Sequence, residues 1–268
     1  MTPAPDKDGN IKKILLVGNP NVGKSVIFGA ITGEYAIVSN YPGTTVEISR
    51  SNLRIDGRPY ELIDTPGVNS LVPQSEDEKV TRDILLQEHP DVIVQVGDAK
   101  NLRRTLYLTL QLAEFGVPLV LNLNMIDECR ARGIEVDTGA IARLFGITVN
   151  TSIATMGVGV SQLLRLIPQA LTPRNPIDGH RDLLTDVAAL LPERLPTTLT
   201  AEWLINAEHA HIDTLRTLLP CDRINRLYEI LQEHARLHHL NLRLCFDGDR
   251  NRFLDEHLPS LRRQDEAA

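Results

Sequence analysis

The chain has 268 residues, 42% hydrophobic and 24% charged, the balance of a soluble globular protein with room for one good-sized domain and a smaller one. A formal charge of -7 argues against a nucleic-acid binder that works by bulk electrostatics, and no apolar run approaches the roughly 20 residues that span a bilayer. Three cysteines, Cys129, Cys221 and Cys245, are odd in number and far apart, which speaks for a reducing compartment without a disulfide framework.

Residues 1–10, MTPAPDKDGN, lack the charged and apolar pattern of a signal peptide and read as a loose polar tail. From 11 to 171, β-rich runs alternate with helical patterns, the mark of a βαβ sheet. IKKILLV (11–17) is the first strand. VEISRSNLRI (46–55) and PYELID (59–64) flank the turn dipeptide Asp56-Gly57 and predict an antiparallel pair. SEDEK (75–79) reads as a helix start whose acids suit the helix dipole. DVIVQV (91–96), PLVLNL (118–123) and ITVNTS (147–152) are almost continuously apolar, as parallel strands covered on both faces are. The expected fold is α/β, a mixed sheet of about six or seven strands with helices on both sides.

TPRNPIDGH (172–180) carries two prolines and a glycine and reads as a linker. Beyond it, TAEWLINAEHAHIDTLRTLL (200–219) and DRINRLYEILQEHARL (222–237) predict helices separated by Pro220. Ile224, Leu227, Leu231 and Ala235 share one face of the second. The expected division is therefore a tail (1–10), an α/β domain (11–171), a linker (172–180) and a small all-helical domain (181–268), whose apolar helix around Trp203 makes that residue core.

The chemistry is concentrated in five short stretches. Gly18-Asn19-Pro20-Asn21-Val22-Gly23-Lys24-Ser25, running into Val26, fits G-x-x-x-x-G-K-[ST] between a strand and a helix, the context a phosphate loop requires. Its backbone N–H groups and the helix dipole suit phosphate; Lys24 should reach the β/γ-phosphates and the Ser25 hydroxyl should ligate Mg2+. In DTPG, Asp64 ends a strand where it can hold Mg2+ through water, and the Gly67 N–H can sense a γ-phosphate. Between them, NYPGTTVE presents Gly43, Thr44 and Thr45 on a loop that could close over a γ-phosphate; Thr45 is the first choice of Mg2+ ligand and Thr44 the alternative. Asn124-Met125-Ile126-Asp127 follows the strand PLVLNL at the end where open α/β sheets bind ligands. A carboxylate at Asp127 can accept from guanine N1–H and its 2-amino group, which adenine cannot match, while Asn124 would brace the loop. TSIATMG (151–157) could add a backbone N–H to guanine from Ser152, Ile153 or Ala154.

The set GNPNVGKS, YPGTTVE, DTPG, NMID and TSIATMG resembles the five-motif arrangement of a small GTPase, that is, a P-loop NTPase with a Ras-like G domain. The text from SEDEKVTRD to VLNLNMIDE resembles the bacterial ferrous iron transport protein B family more closely still, over about residues 11–171. AEWLINAEHAH and FDGDRNRFLDEHL are similar to stretches of the helical domain that follows there, proposed to restrain GDP release ahead of a polytopic membrane segment. The resemblance implies a GTP-hydrolysing regulatory domain at the cytoplasmic face of the bacterial inner membrane, with GTP/GDP, Mg2+ and K+ as cofactors. It implies a membrane-embedded transporter segment as partner, leaves a homo-oligomer open, and makes this chain a truncated or separately made cytosolic portion.

Three features qualify the resemblance. Met125 stands where most Ras-like proteins have lysine; its apolar stem can still cover the base, and weak affinity with quick exchange is expected. Val68 stands where Ras-type enzymes place a water-orienting glutamine, so hydrolysis should be slow or recruit another group. In related GTPases the asparagine at the Asn21 position helps bind K+, which takes the place of an arginine finger; the plainer alternative is that Asn21 suits the loop's backbone. The catalytic candidates are thus Lys24, Asn21 and Gly67. The base loop TSIATMGVGV is one residue longer than commoner family versions.

No iron site is legible: His209 and His211 are two apart on a predicted helix, and His238 and His239 are adjacent and diverge. A rival reading is an RNA- or ribosome-associated GTPase, against which the acidic balance counts. A third is a nucleotide-binding regulator with negligible turnover.

Overall fold

Side chains along the first strand alternate between two buried faces, and both faces are filled. The computed structural model describes residues 11–33, 36–206 and 209–264. In β1 (Lys12–Gly18), Ile14 and Leu16 enter one apolar cluster while Leu15 and Val17 enter another on the opposite side. Next come α1 (Lys24–Thr32), β2 (Ile37–Asn40), β3 (Glu47–Ile55) and β4 (Arg58–Asp64). Asp56 and Gly57, both at positive φ (49° and 78°), turn β3 antiparallel onto β4 as expected. Then follow α2 (Glu76–Gln87), β5 (Val92–Asp98), α3 (Leu102–Ala113), β6 (Leu119–Asn124), α4 (Ile126–Ala131), β7 (Ile134–Val136), α5 (Thr138–Phe145), β8 (Thr148–Thr151) and α6 (Val160–Leu166).

Seven of these strands make one sheet in the order β2-β3-β4-β1-β5-β6-β8, antiparallel across the first three and parallel thereafter. Ile27 and Phe28 of α1 and Val160 and Leu163 of α6 cover one face; α2, α3 and α5 cover the other. This arrangement puts the ends of β1, β4, β6 and β8 along one edge, and each of those ends carries one of the motifs.

The chain then builds α7 (Arg181–Ala188), α8 (Thr197–Ile205), α9 (His209–Leu218), α10 (Cys221–His238), α11 (Leu242–Leu261) and β9 (Arg262–Gln264). The structure adds detail to two expectations. The stretch read as one helix over 200–219 holds the end of α8 and the whole of α9; Asn206 caps α8, its backbone N–H and side-chain amide both bonding the Glu202 carbonyl (2.9 and 2.8 Å), and residues 207–208 lie outside the described residues. The C-terminal part is also not wholly helical: β9 pairs antiparallel with β7, Val136 opposite Arg262 and Ile134 opposite Gln264. Arg-Arg-Gln has no strand pattern, so it is the open edge of β7 that makes it a strand. The tail 1–10 and the side chains of His209 and His211 lie outside the described residues.

The helices pack on α3 through buried polar contacts. Arg250 on α11 reaches Glu202 on α8 and Glu114 beyond α3, both at 2.8 Å, and all three side chains are at least 95% buried. Glu114 also accepts from the Leu199 N–H, which starts α8 (3.0 Å). At the rim, Tyr107 donates to Asp247 (2.6 Å) and Arg103 bonds Asp255 and Asn251. Arg250→Met should destabilise the fold by about 3–5 kcal/mol in urea unfolding, since two carboxylates would stay buried without their cation.

Candidate functional site

The loop after β1 folds as it does because two positions tolerate no side chain. A Cβ on Gly18 would sit 2.4 Å from the Val96 carbonyl, and one on Gly23 2.5 Å from the Asn124 amide nitrogen. Gly23 also has φ 85°, and Asn21, exposed at the rim, has φ 64°. That backbone geometry fits the plainer reading of Asn21 and leaves its side chain free to reach a ligand. The Val68 N–H donates to the Gly18 carbonyl and the Asn19 amide donates to the Val68 carbonyl, both at 2.9 Å. Gly67 lies so close to Pro20 that a Cβ would meet the proline Cα at 2.9 Å. The phosphate loop and DTPG are therefore one body.

Lys24 is buried and its ammonium pairs with the Asp64 carboxylate, which also accepts from the Ser25 hydroxyl. Burial pushes the Asp64 carboxyl above its ordinary range, with Lys24 and then Ser25 pulling it back. A hydroxyl and a carboxylate side by side are hard oxygen donors, the set that suits Mg2+. Thr44 is committed to its own turn, donating to the Tyr41 carbonyl (3.0 Å) and accepting from Val46 N–H (3.2 Å), whereas Thr45 is exposed. Gly43 and Val26 are exposed as well, and Val22 is buried.

At the other end, Asn124 ties three loops together. Its amide donates to the Val22 carbonyl (3.0 Å), and its oxygen accepts from the Ser152 hydroxyl and the Ala154 N–H (both 3.0 Å). Met125 takes φ 61° and is half-buried, which turns the chain so that α4 presents Asp127, exposed, in its first turn. The base loop was expected to offer guanine an N–H from Ser152, Ile153 or Ala154. These three already donate to the Leu123 carbonyl (2.9 Å), the Val158 carbonyl (3.0 Å) and Asn124. The Ile153–Val158 bridge closes the extended base loop on itself and leaves Met156 72% exposed.

Val68 is fully buried in the core. Three groups that hold the loop behind it escaped sequence reasoning. Glu78 collects the N–H groups of Asn69 (3.1 Å), Ser70 (3.3 Å) and Gln74 (2.9 Å), although SEDEK reads simply as the helix start it also is, capped by Ser75. Gln111 accepts from Leu71 N–H (2.8 Å) and Trp203 Nε1 donates to the Leu71 carbonyl (2.7 Å). Trp203 is core, as expected, but it is also a tie to the site. A buried polar side chain on an apolar helix is the signal that marks Gln111. Histidines do meet elsewhere: His234 and His238, one turn apart on α10, have ring centroids 4.3 Å apart, with His180 6.3 Å from His234. Among the described residues no three His, Cys, Asp or Glu side chains are grouped to hold a metal ion.

A phosphate loop, a DTPG loop and an NMID loop on one edge of this mixed sheet define a P-loop NTPase of the Ras-like G-domain type, followed by helices. The chain matches the family model for ferrous iron transport protein B over residues 12–167, and it belongs to that family. It is 33% identical over 214 residues to the Fe(2+) transport protein A/Fe(2+) transporter FeoB fusion protein of Porphyromonas gingivalis, covering 78% of this chain and 25% of that protein. It is 40% identical over 153 residues to the Fe(2+) transporter FeoB of Legionella pneumophila, covering 56% of this chain and 20% of that one. The chain thus spans a quarter or less of the length of these relatives. Among solved structures, the cytosolic domain of L. pneumophila FeoB superposes with TM-score 0.80 at 27% identity, over 94% of this chain and all of that one. A GDP-bound S. thermophilus NFeoB mutant gives 0.81 at 27% identity, over 95% and 100%. No helix among the described residues is long and apolar enough to cross a membrane.

Gly23→Ala is expected to lower the thermal midpoint of the nucleotide-free protein. Left-handed backbone alone costs an alanine about 1–2 kcal/mol, and the methyl also displaces the Asn124 amide. Differential scanning calorimetry checks this.

Proposed function

We propose that this chain binds and hydrolyses GTP as the regulatory domain of a ferrous iron transporter, at the cytoplasmic face of the bacterial inner membrane. The observation that carries the reading is the meeting of Lys24, Ser25 and Asp64 at one end of a sheet edge with Asn124 and Asp127 at the other, in a chain of this family. GDP-bound relatives with this fold support the choice of nucleotide.

In this reading Lys24 and the N–H groups of residues 18–26 bind the phosphates, and Gly67 senses the γ-phosphate. Asp127 accepts from guanine N1–H and the 2-amino group, Met125 covers the base, and Asn124 braces the loop with Ser152, Ile153 and Ala154. Ser25, Asp64 and Thr45 would hold Mg2+ and Asn21 would hold K+; bound there, the cations would supply positive charge beside the phosphates. Thr45 is preferred over Thr44 because the Thr44 hydroxyl is already engaged at both its donor and acceptor sides. With Val68 turned into the core, turnover is slow and depends on K+. Movement of the DTPG loop passes to the helices through Leu71, whose carbonyl takes the Trp203 N–H, and from there towards a membrane-embedded partner segment.

Phosphate release should be faster in KCl than in NaCl, and Asn21→Ala should abolish the difference; equal rates in both salts with no loss in the variant would sink the K+ role. Asp127→Ala should weaken GDP binding tenfold or more, about the worth of charge-assisted hydrogen bonds, in a calorimetric titration. Trp203→Phe keeps the ring but strands the Leu71 carbonyl. It should cost about 1–3 kcal/mol in stability and change the GDP release rate, read by stopped-flow fluorescence.

A further inference from the structure

Strand β6 is apolar at Leu119, Val120, Leu121 and Leu123, yet its centre holds a fully buried asparagine, Asn122. Asn122 lies directly across from Asn150 of β8 in the parallel register, and that side chain is buried too. Two amides in a sheet interior are costly unless their polar atoms are paired. Here they are paired in one direction. The Asn150 amide nitrogen donates to the Asn122 oxygen (2.7 Å) and to the Gly159 carbonyl (3.1 Å). The Asn122 nitrogen donates to the Ser152 hydroxyl (2.9 Å), which donates to the Asn124 oxygen (3.0 Å), and the Asn124 nitrogen donates to Val22 of the phosphate loop (3.0 Å).

We propose that Asn122 and Asn150 are positioning residues for guanine recognition, an inference that rests on the guanine-nucleotide reading above. The Ser152 hydroxyl has a single proton. Because Asn122 supplies a donor from one side, that proton points to Asn124. The Asn124 amide then keeps its oxygen on the base loop and its nitrogen on Val22. Asn150 fixes Asn122 in the same way and also holds Gly159, the far end of the base loop. Neither asparagine touches the nucleotide; both set how firmly residues 151–159 are held against the phosphate loop, and hence how fast guanine nucleotide leaves.

The test is the release rate of a fluorescent GDP analogue, well below the thermal midpoint, from the wild type, Asn122→Ala, Asn150→Ala, Ser152→Ala and the double variant Asn122→Ala/Ser152→Ala. Each asparagine variant should release GDP about threefold to tenfold faster, the worth of one buried hydrogen bond. The double variant should be no faster than Ser152→Ala alone, because Asn122 acts through that hydroxyl. A merely structural role would lower the thermal midpoint and leave the rate unchanged; that result, or rate effects that multiply in the double variant, overturns the proposal. Should Asn122→Ala not fold, Asn150→Ala on the outer strand β8 decides alone by the same rate comparison. A wild type that binds no GDP overturns the guanine reading and this proposal together. A wild type that binds GDP while the variants release it at the same rate overturns this proposal only.

Discussion

Both main-chain polar groups of Leu71 are held by side chains, the N–H by Gln111 and the carbonyl by Trp203, and the second of these bonds fixes the loop after DTPG against the helical half of the molecule. A loop of this kind normally runs over the surface, because buried backbone needs partners. Here the loop after DTPG is buried at Leu71, and the partners come from different elements: Glu78 from α2, Gln111 from α3 and Trp203 from α8. The indole reports to the helices in turn. Arg82 lies 5.5 Å from its ring, and Arg82 also bonds Thr214 on α9 (2.8 Å). A displacement of Leu71 cannot be absorbed locally without stranding a buried donor or acceptor, which costs more than the bond itself contributes.

The base end obeys the same rule on the opposite face of the sheet. Alternation along β6 sends Leu119, Leu121 and Leu123 towards α2 and α3, while Val120 enters the cluster of α1 and α6. Asn122 and Asn124 share the face of Val120, so their amides form a line beside β8 that ends at the phosphate loop. The two anchoring systems approach the phosphate loop from opposite sides. Gly18 and Asn19 meet the DTPG loop, and Val22 and Gly23 meet Asn124.

The strands and the phosphate loop were legible because their signals are local: unbroken apolar runs, a Gly-Lys-Ser after a strand, an Asp-Gly turn. The base motif was legible as a position, at the end of an apolar strand, although Asp127 in the first turn of α4 also suits a helix start. What stayed hidden is non-local. Glu78 sits in a run of acids that explains itself as a helix start, and nothing nearby in sequence points to the Asn69–Gln74 loop. Strand β9 is a strand only because β7 offers an edge. The N–H groups of Ser152, Ile153 and Ala154 could not be assigned from spacing, because their acceptors lie on other segments or across the loop.

The contact between Lys24 and Asp64 joins the two systems and sets a condition on any ligand. Burial already disfavours the charged Asp64 carboxylate, and the ammonium of Lys24 is the larger of the two influences that offset this. A phosphate that draws Lys24 to itself removes that offset and leaves a buried carboxylate with only the Ser25 hydroxyl. Such a site either protonates, loses its burial, or acquires a second cation. The first makes phosphate binding pH-dependent, and the second moves the end of β4 and with it the loop to Leu71. The third makes cation and phosphate binding mutually supportive. The second links phosphate occupancy to the segment that Trp203 holds, because Asp64 is the last residue of β4 and its loop runs without a break to Leu71.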